Sequence, residues 1–81
     1  MYFSVKQVKP CKDYLLHLTF ENGEERVFDM KPYLDTGNFK ELKKVDMFTT
    51  VKVSFDSIQW DNGLDFDPEV LYQKSKQLIT K

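Results

Sequence analysis

Four acidic side chains crowd a stretch of nine residues near the end of the chain, with no basic residue among them: Asp61, Asp65, Asp67 and Glu69. Carboxylates at this density could hold a divalent cation or act as an acid–base pair in catalysis. A calcium loop, however, needs oxygen ligands at positions 1, 3 and 5 and a glycine at position 6. Counted from Asp61, the glycine here is the third residue, so the calcium pattern fails.

Asp67 and Glu69 also have a structural explanation, because they flank a proline. Asp67 can accept from the free N–H groups of a helix start, Pro68 suits the first turn, and Glu69 favours the positive end of the dipole. We therefore predict a helix start here, with no metal ion, no cofactor and no catalytic residue. A hydrolase or metal enzyme is the least favoured alternative. The rest of the stretch is the candidate partner-binding surface: Trp60, Asp61, Asn62 and Asp65.

The single cysteine and the single histidine, Cys11 and His17, are the other side chains able to do chemistry. A zinc site needs more ligands than these two supply. A thiol nucleophile with a histidine base also needs a third orienting group and an oxyanion-stabilising loop, and neither is apparent. We expect His17 on the polar face of a strand, beside Glu25 or Asp29, in a protein that is not an enzyme.

Three lysines of the N-terminal arm, Lys6, Lys9 and Lys12, precede the first acidic residue, Asp13. Lysines along a strand usually keep a sheet edge from pairing with other chains, and this is the favoured interpretation. The alternative is a phosphate-binding surface, which makes these three lysines the candidate contacts to nucleic acid.

Composition limits the classes of function further. The chain has 81 residues with 12 basic and 13 acidic side chains, and its net charge of −1 creates no field that attracts nucleic acid. One cysteine allows no internal disulfide and favours the reducing cytoplasm. The first residues are too few and too polar for a signal peptide, and no apolar run could cross a membrane. We expect one domain, residues 1–81, small enough for a homodimer to stabilise it.

Two alternating apolar segments, residues 14–20 and 24–30, flank Asn22-Gly23, a pair that favours a tight turn. A three-residue loop pairs Phe20 with Glu24, whereas a two-residue turn shifts the register by one residue and sends half of the apolar side chains to the other face. We predict the three-residue loop, because it gathers the apolar residues on one face: Leu16, Leu18, Phe20, Phe28 and Met30.

A second hairpin is predicted from the alternation of residues 50–55. A two-residue turn at Asp56-Ser57 pairs Phe55 with Ile58 and sends Trp60 into the core or to its rim. In this register one inward face carries Val51, Val53, Phe55, Ile58 and Trp60.

Two helices complete the predicted elements. A short central helix spans residues 36–44, with Thr36 or Asn38 as its cap and with Phe39 and Leu42 on its buried side. The C-terminal helix starts at Pro68 and has an inner stripe formed by Leu71, Leu78, Val70 and Ser75. Tyr72 and Ile79 lie at the edge of this stripe. Lysines near the end of the helix complement its dipole: Lys74, Lys76 and Lys81.

Residues 3–9 are a weaker strand candidate, because Phe3 and Val5 share one face but Val8 breaks the alternation. We expect a bulge near Val8 or a strand end before Pro10. Together these elements predict an α+β fold. It consists of a small twisted antiparallel sheet of about five strands, a short central helix and a C-terminal helix.

Four segments match one known pattern when they are taken together. They are Leu18-Thr19-Phe20-Glu21-Asn22-Gly23, Asp29-Met30-Lys31-Pro32-Tyr33-Leu34, Phe39-Lys40-Glu41-Leu42 and, most specifically, Ile58-Gln59-Trp60-Asp61-Asn62-Gly63-Leu64-Asp65-Phe66-Asp67-Pro68-Glu69-Val70-Leu71-Tyr72. On these segments the chain resembles the small bacterial domain family catalogued as domain of unknown function 2442. The resemblance implies a compact α+β unit without an assigned catalytic activity, often encoded beside toxin–antitoxin-type genes. Some members carry a helix-turn-helix, which we expect this chain to lack because it ends at Lys81.

The favoured hypothesis is a non-catalytic protein–protein interaction module in the cytoplasm. Its more specific form is the antitoxin-like member of a toxin–antitoxin-type pair, whose acidic turn faces a basic toxin-like partner. The alternative is a nucleic-acid-binding accessory or regulatory protein that acts as a dimer through its lysine arm. Neither hypothesis involves a membrane.

Overall fold

A computed structural model describes residues 4–78, which form six strands and two α-helices. The larger sheet is antiparallel, with the first, second, third and sixth strands in that order, and the fourth and fifth strands form a separate antiparallel pair. The predicted α+β fold class is confirmed. In chain order the elements are β1 (Val5–Cys11), β2 (Leu15–Phe20), β3 (Glu25–Asp29), α1 (Val45–Phe48), β4 (Lys52–Ser54), β5 (Ser57–Gln59), α2 (Pro68–Lys74) and β6 (Lys76–Gln77), with 3₁₀-helices at Lys12–Tyr14, Lys31–Tyr33 and Gly37–Lys43.

The β2–β3 hairpin has the predicted register. Gly23 has a φ of 91° and donates its N–H to the Phe20 carbonyl over 2.9 Å, while the Phe20 N–H donates to the Glu24 carbonyl over 2.9 Å. This is the three-residue loop with glycine in the left-handed position. The five side chains predicted to share the inner face are at most 1% exposed: Leu16, Leu18, Phe20, Phe28 and Met30.

The N-terminal strand has its irregularity between Val5 and Gln7, where the pairing with β2 shifts by one residue. The bulge lets Val5 and Val8 both pack on the core although they are three residues apart. The predicted bulge is present, but it lies between Val5 and Gln7 and Val8 itself pairs regularly. The alternative of a strand end before Pro10 is wrong, since β1 continues to Cys11. Pro10 is tolerated because β1 lies at the edge of its sheet.

The β4–β5 hairpin has a different register from the predicted one. Its turn residues are Phe55 and Asp56, not Asp56 and Ser57, and Val53 stands opposite Ile58. Both registers keep the same residues on the same strand faces, so the apolar pattern could not separate them. The predicted burial of Val53 and Phe55 is wrong, because Val53 is 37% exposed and Phe55, now in the turn, is 98% exposed.

The segment between the hairpins closes one side of the core. The 3₁₀-helix Gly37–Lys43 buries Leu42 fully and Phe39 in part, as the pattern predicts. Thr36 precedes this helix, but its hydroxyl donates to a carbonyl of the preceding turn over 2.7 Å instead of capping. After it, α1 buries Phe48.

The C-terminal helix begins as predicted and ends earlier. Asp67 caps α2 by accepting from the Glu69 N–H over 2.8 Å, and Leu71 is fully buried. The prediction that Leu78 lies on the inner stripe is wrong, because the chain extends at Ser75, pairs with β3 as β6 and leaves Leu78 41% exposed. Three residues of the predicted elements lie outside the described residues: Phe3, Ile79 and Lys81.

Candidate protein-interaction surface

The tip of the β4–β5 hairpin is anchored at one of its two turn residues. The Val5 N–H donates to the Asp56 carbonyl over 2.9 Å, and the Ser4 hydroxyl donates to the Asp56 carboxylate over 3.2 Å. Its neighbour Phe55 has its side chain in solvent, 98% exposed. The hairpin therefore presents an aromatic ring from a fixed backbone position.

The backbone of Phe55 is strained, with a φ of 56°. Left-handed backbone is unfavourable for a bulky side chain and costs about 1–3 kcal/mol. Among residues 4–78, Asp13 and Tyr14 are the other non-glycine residues with positive φ. Strain of this kind is concentrated at functional sites, so its position at an exposed ring is informative.

A cleft of about 330 Å³ lies beside Phe55. It is lined by the β4–β5 hairpin together with Asp65, Phe66 and Pro68. Asp56 and Asp65 are its charged residues, and no basic side chain lines it. The hairpin tip thus combines an exposed apolar ring with a negatively charged cleft. We call this the Phe55 surface.

Trp60 lies in the core, not on the predicted partner-binding edge. Its side chain is 1% exposed, and its indole N–H donates to the Phe48 carbonyl over 3.0 Å, so both the ring and its polar atom are satisfied inside the fold. Asp61 is exposed, and Asn62 donates to the carboxylate of Glu41 over 3.1 Å. Of the predicted set, Asp65 is the member that lines the cleft beside Phe55.

The turn after Trp60 repeats the geometry of the first hairpin. The Trp60 N–H donates to the Leu64 carbonyl over 2.9 Å, and the Gly63 N–H donates to the Trp60 carbonyl over 2.9 Å. Gly63 has a φ of 90°, and the Asn62 side chain accepts from the Leu64 N–H over 3.1 Å. The reversal predicted from Asn62-Gly63 is confirmed, and this part of the acidic stretch forms an ordered turn.

On the other side of β4, a groove of about 690 Å³ is lined by β1 and β4 and extends over His17 and Thr19 of β2. Lys6 and Lys9 of β1 and Lys52 of β4 line it, and we call it the lysine groove. Lys12, the third lysine of the predicted phosphate-binding set, lies on the turn after β1 and does not line it. The structure therefore brings two of the three predicted lysines together and adds Lys52, which is 3.7 Å from the Asp61 carboxylate.

Comparison with known proteins identifies the family. A family model described as "Protein of unknown function (DUF2442)" matches residues 5–77. The chain belongs to the DUF2442 family. The resemblance carried by the four sequence segments is thus confirmed, and the match includes both Phe55 and the lysine groove. No curated protein and no solved structure gives a significant match.

The other reactive side chains of this DUF2442 chain have local partners. The His17 ring nitrogen lies 3.0 Å from the Glu25 carboxylate, which is one of the two neighbours predicted for it. The exposed Cys11 thiol donates to the Lys9 carbonyl over 3.6 Å. Within the described range, no three His, Cys, Asp or Glu side chains are grouped to hold a metal ion.

No helix within residues 4–78 combines the length and the apolar character needed to cross a membrane.

A polar network that no sequence pattern predicted docks α2 onto β3. Arg26 donates to the Ser75 hydroxyl over 2.7 Å, to the Ser75 carbonyl over 2.9 Å and to the Glu24 carboxylate over 2.9 Å. The Tyr72 hydroxyl donates to Glu24 over 2.7 Å, and the Arg26 guanidinium lies 4.3 Å from the centre of the Tyr72 ring. Arg26 thus holds Ser75, the residue at which α2 ends and after which the chain pairs as β6.

The same network shifts two pKa values. The hydrogen bond from Tyr72 is the main cause that lowers the pKa of Glu24, and Arg26 and Asn22 lower it further. The hydrogen bond to Glu24 is the main cause that raises the pKa of Tyr72. The pair therefore favours an ionised Glu24 and a protonated Tyr72 in the folded state.

Proposed function

We propose that this DUF2442 protein is a non-catalytic protein-interaction module that binds its partner through Phe55. One observation carries the proposal: a fully exposed phenylalanine has an unfavourable backbone conformation at an anchored turn. Folding alone does not favour this residue, because glycine would relieve the strain and a polar side chain would suit the solvent. Burial of the ring in a partner would contribute about 1.5–3 kcal/mol.

The chemistry of the Phe55 surface suits a basic partner. A pocket for the ring, flanked by lysine or arginine side chains, would oppose the carboxylates of Asp56 and Asp65. This is the charge expected of a basic toxin-like protein. We therefore propose the antitoxin-like member of a two-gene pair as the more specific role, with the cytoplasm as its location.

Affinity capture from the native host tests this proposal. The wild-type chain is compared with Phe55→Ser and with Val45→Ser, a control that removes another exposed apolar side chain, 61% exposed on α1. We expect a basic protein to bind the wild type and the Val45 variant and to be lost with Phe55→Ser. Equal recovery of every captured protein by both variants would refute the role of Phe55.

A second copy of the chain is the competing occupant of this surface. Sedimentation of the purified protein at several concentrations detects it directly. A dimer that dissociates in Phe55→Ser but not in Val45→Ser would assign the ring to self-association, and the proposal of a basic partner at this surface would then be wrong. We expect no dimer through this surface, because two copies of it would bring like-charged carboxylates together.

The nucleic-acid alternative has weaker support. Its three lysines do not form one surface, since Lys12 lies outside the groove that Lys6 and Lys9 line. His17 is the one aromatic ring that lines the groove, and no Phe, Tyr or Trp lines it for bases to stack on. An oligonucleotide is therefore a suitable competing probe for the lysine groove.

A further inference from the structure

The lysine groove lies between two strands that each have one free edge. Within residues 4–78, β1 pairs only with β2 and β4 pairs only with β5. One backbone hydrogen bond, from the Val5 N–H to the Asp56 carbonyl, joins the start of β1 to the turn that follows β4. Pro10 indicates which groups of β1 face the groove, because a proline in an edge strand turns its nitrogen away from the ladder. Backbone groups two residues apart in a strand point to the same edge, so the N–H and the carbonyl of Val8 also point to the free edge of β1.

The side chains around this edge are basic and favour a negatively charged ligand. Lys6, Lys9 and Lys52 line the groove beside Val8 and Val53, and no acidic residue lines it. Within the described part of the chain, no carboxylate forms an ion pair with Lys6 or Lys9. A bound anion would therefore meet two ammonium groups that have no competing partner.

An extended peptide fits this groove better than a nucleic-acid strand. Strand edges offer backbone donors and acceptors at the spacing of another peptide, which is the basis of recognition by β-strand addition. Where β1 and β4 are closest their Cα atoms lie within 8 Å, less than the roughly 9.6 Å, twice the strand spacing, that a third strand between them would need. We therefore place the peptide on β1 alone, beyond the end that the hydrogen bond between Val5 and Asp56 closes.

We propose that the lysine groove is a second interaction site, which binds an extended acidic segment of a protein by strand pairing with β1 around Val8. Carboxylates at alternate positions of the segment reach Lys6 and Lys9, while its apolar side chains contact Val8 and Val53. The site goes beyond the Phe55 surface and does not depend on it. Each can be tested with variants that leave the other unchanged.

Binding of a synthetic peptide tests the charge requirement. The probe is a peptide of roughly nine residues with glutamate at alternate positions and valine between them, and the controls replace every glutamate with glutamine or lysine. Titration followed by backbone amide NMR should move the signals of β1 only with the glutamate peptide. Equal binding of the glutamine peptide would overturn the proposal.

Variants of the protein locate the site. The double variant Lys6→Glu and Lys9→Glu should bind the glutamate peptide about tenfold or more weakly, because both ammonium groups are replaced by like charges. The single variants Lys9→Glu and Lys12→Glu make equal charge changes inside and outside the groove; the first should weaken binding, and the second should stay within about twofold of the wild type. An equal loss in both proteins would show a general charge effect and refute the groove as the site.

Peptide N-methylation tests strand pairing without altering the protein. Methyl groups on the peptide amides that face β1 should abolish binding. Methyl groups on the alternate amides, which face away from β1, should change the affinity by no more than about twofold. Equal tolerance of both sets would overturn the pairing with β1. A single-stranded oligonucleotide of equal charge completes the test. If it binds more tightly than the peptide and is lost in Lys6→Glu with Lys9→Glu, the groove is a nucleic-acid site and the proposal is wrong.

Discussion

Tyr14 and Phe55 are two aromatic residues in turns between strands, and both have a φ close to 60°. Tyr14 is packed: its ring lies 5.2 Å from that of Phe48 in an edge-to-face contact, and its hydroxyl donates to the Lys43 carbonyl. Phe55 has 98% of its side chain in solvent. Two similar backbone conformations therefore have opposite surroundings.

The difference separates an aromatic side chain that packing explains from one that packing does not explain. At Tyr14, ring packing and a hydrogen bond offset the unfavourable backbone, so the conformation follows from stability. At Phe55 the two-residue turn of the β4–β5 hairpin requires a positive φ, but the exposed ring gains no contact in return. Removal of the side chain should therefore change the free energy of unfolding differently at the two turns.

Tyr14→Gly should have the largest effect on stability. Glycine accepts the positive φ, but loss of the half-buried ring and its hydrogen bond should lower the free energy of unfolding by about 2 kcal/mol. Denaturation in urea measures the change. An unaltered midpoint would show that Tyr14 is not compensated by packing and would remove the contrast with Phe55.

Phe55→Gly should act in the opposite direction. Glycine relieves the left-handed strain and no packing is lost, so we expect the free energy of unfolding to rise by about 1 kcal/mol while partner binding is lost. The same urea experiment and the capture assay measure the two effects. A destabilised variant would mean that the exposed ring supports the fold, against the proposed role.

Tyr14→Phe divides the compensation at Tyr14 into its two parts. The ring and its contact with Phe48 remain, and the hydrogen bond to Lys43 is lost, so we expect a decrease of about 1 kcal/mol in the free energy of unfolding. A decrease as large as that of Tyr14→Gly would assign the compensation to the hydroxyl instead of the ring.

The smallest effect should come from pH, and it should leave both turns unchanged. The pKa of Glu24 is lowered on folding, so its charge contributes stability above its ordinary pKa of 4.5, and this contribution is lost as the pH falls through the lowered value. The pKa of Tyr72 is raised, so its contribution is present below its ordinary pKa of 10.0 and is lost as the pH rises through the raised value.

Tyr72→Phe removes the main cause of the Glu24 shift. Thermal unfolding measured against pH should then show a smaller loss of stability on the acid side than the wild type shows. Amide exchange should locate the acid-induced loosening at α2 and β6, with the turns of Tyr14 and Phe55 unaffected. An identical acid limb in both proteins would assign the acid sensitivity to other groups.

The two hairpins show why one register could be predicted from the sequence and the other could not. In the first hairpin, one register places both Phe28 and Met30 on the face of Leu16, and the other places both on the opposite face. The apolar pattern therefore distinguishes the two registers. For the second, both registers keep Ile58 and Trp60 on the face of Val51, and Phe55 alone decides. Hydrophobic patterning assumes that an aromatic residue is buried, and this assumption is wrong for Phe55, which is 98% exposed.

The candidate sites were predictable only in part. Lys6 and Lys9 could be identified as a pair, but Lys52 joins them through the placement of β4 beside β1, which is a long-range contact. Arg26 and Ser75 are likewise far apart in the chain, and α2 ends at their hydrogen bonds, before the periodic pattern does. Local signals indicated the α2 cap at Asp67 and both Asn-Gly turns, because each depends on neighbouring residues only.

The irregularity between Val5 and Gln7 has a consequence for colloidal behaviour. A regular edge strand can align with the same strand of another molecule over its full length and so seed fibrils. Here the extra residue breaks the repeat, and the lysines on either side repel a second copy. We therefore expect the edge of β1 not to start cross-β aggregation in concentrated solutions.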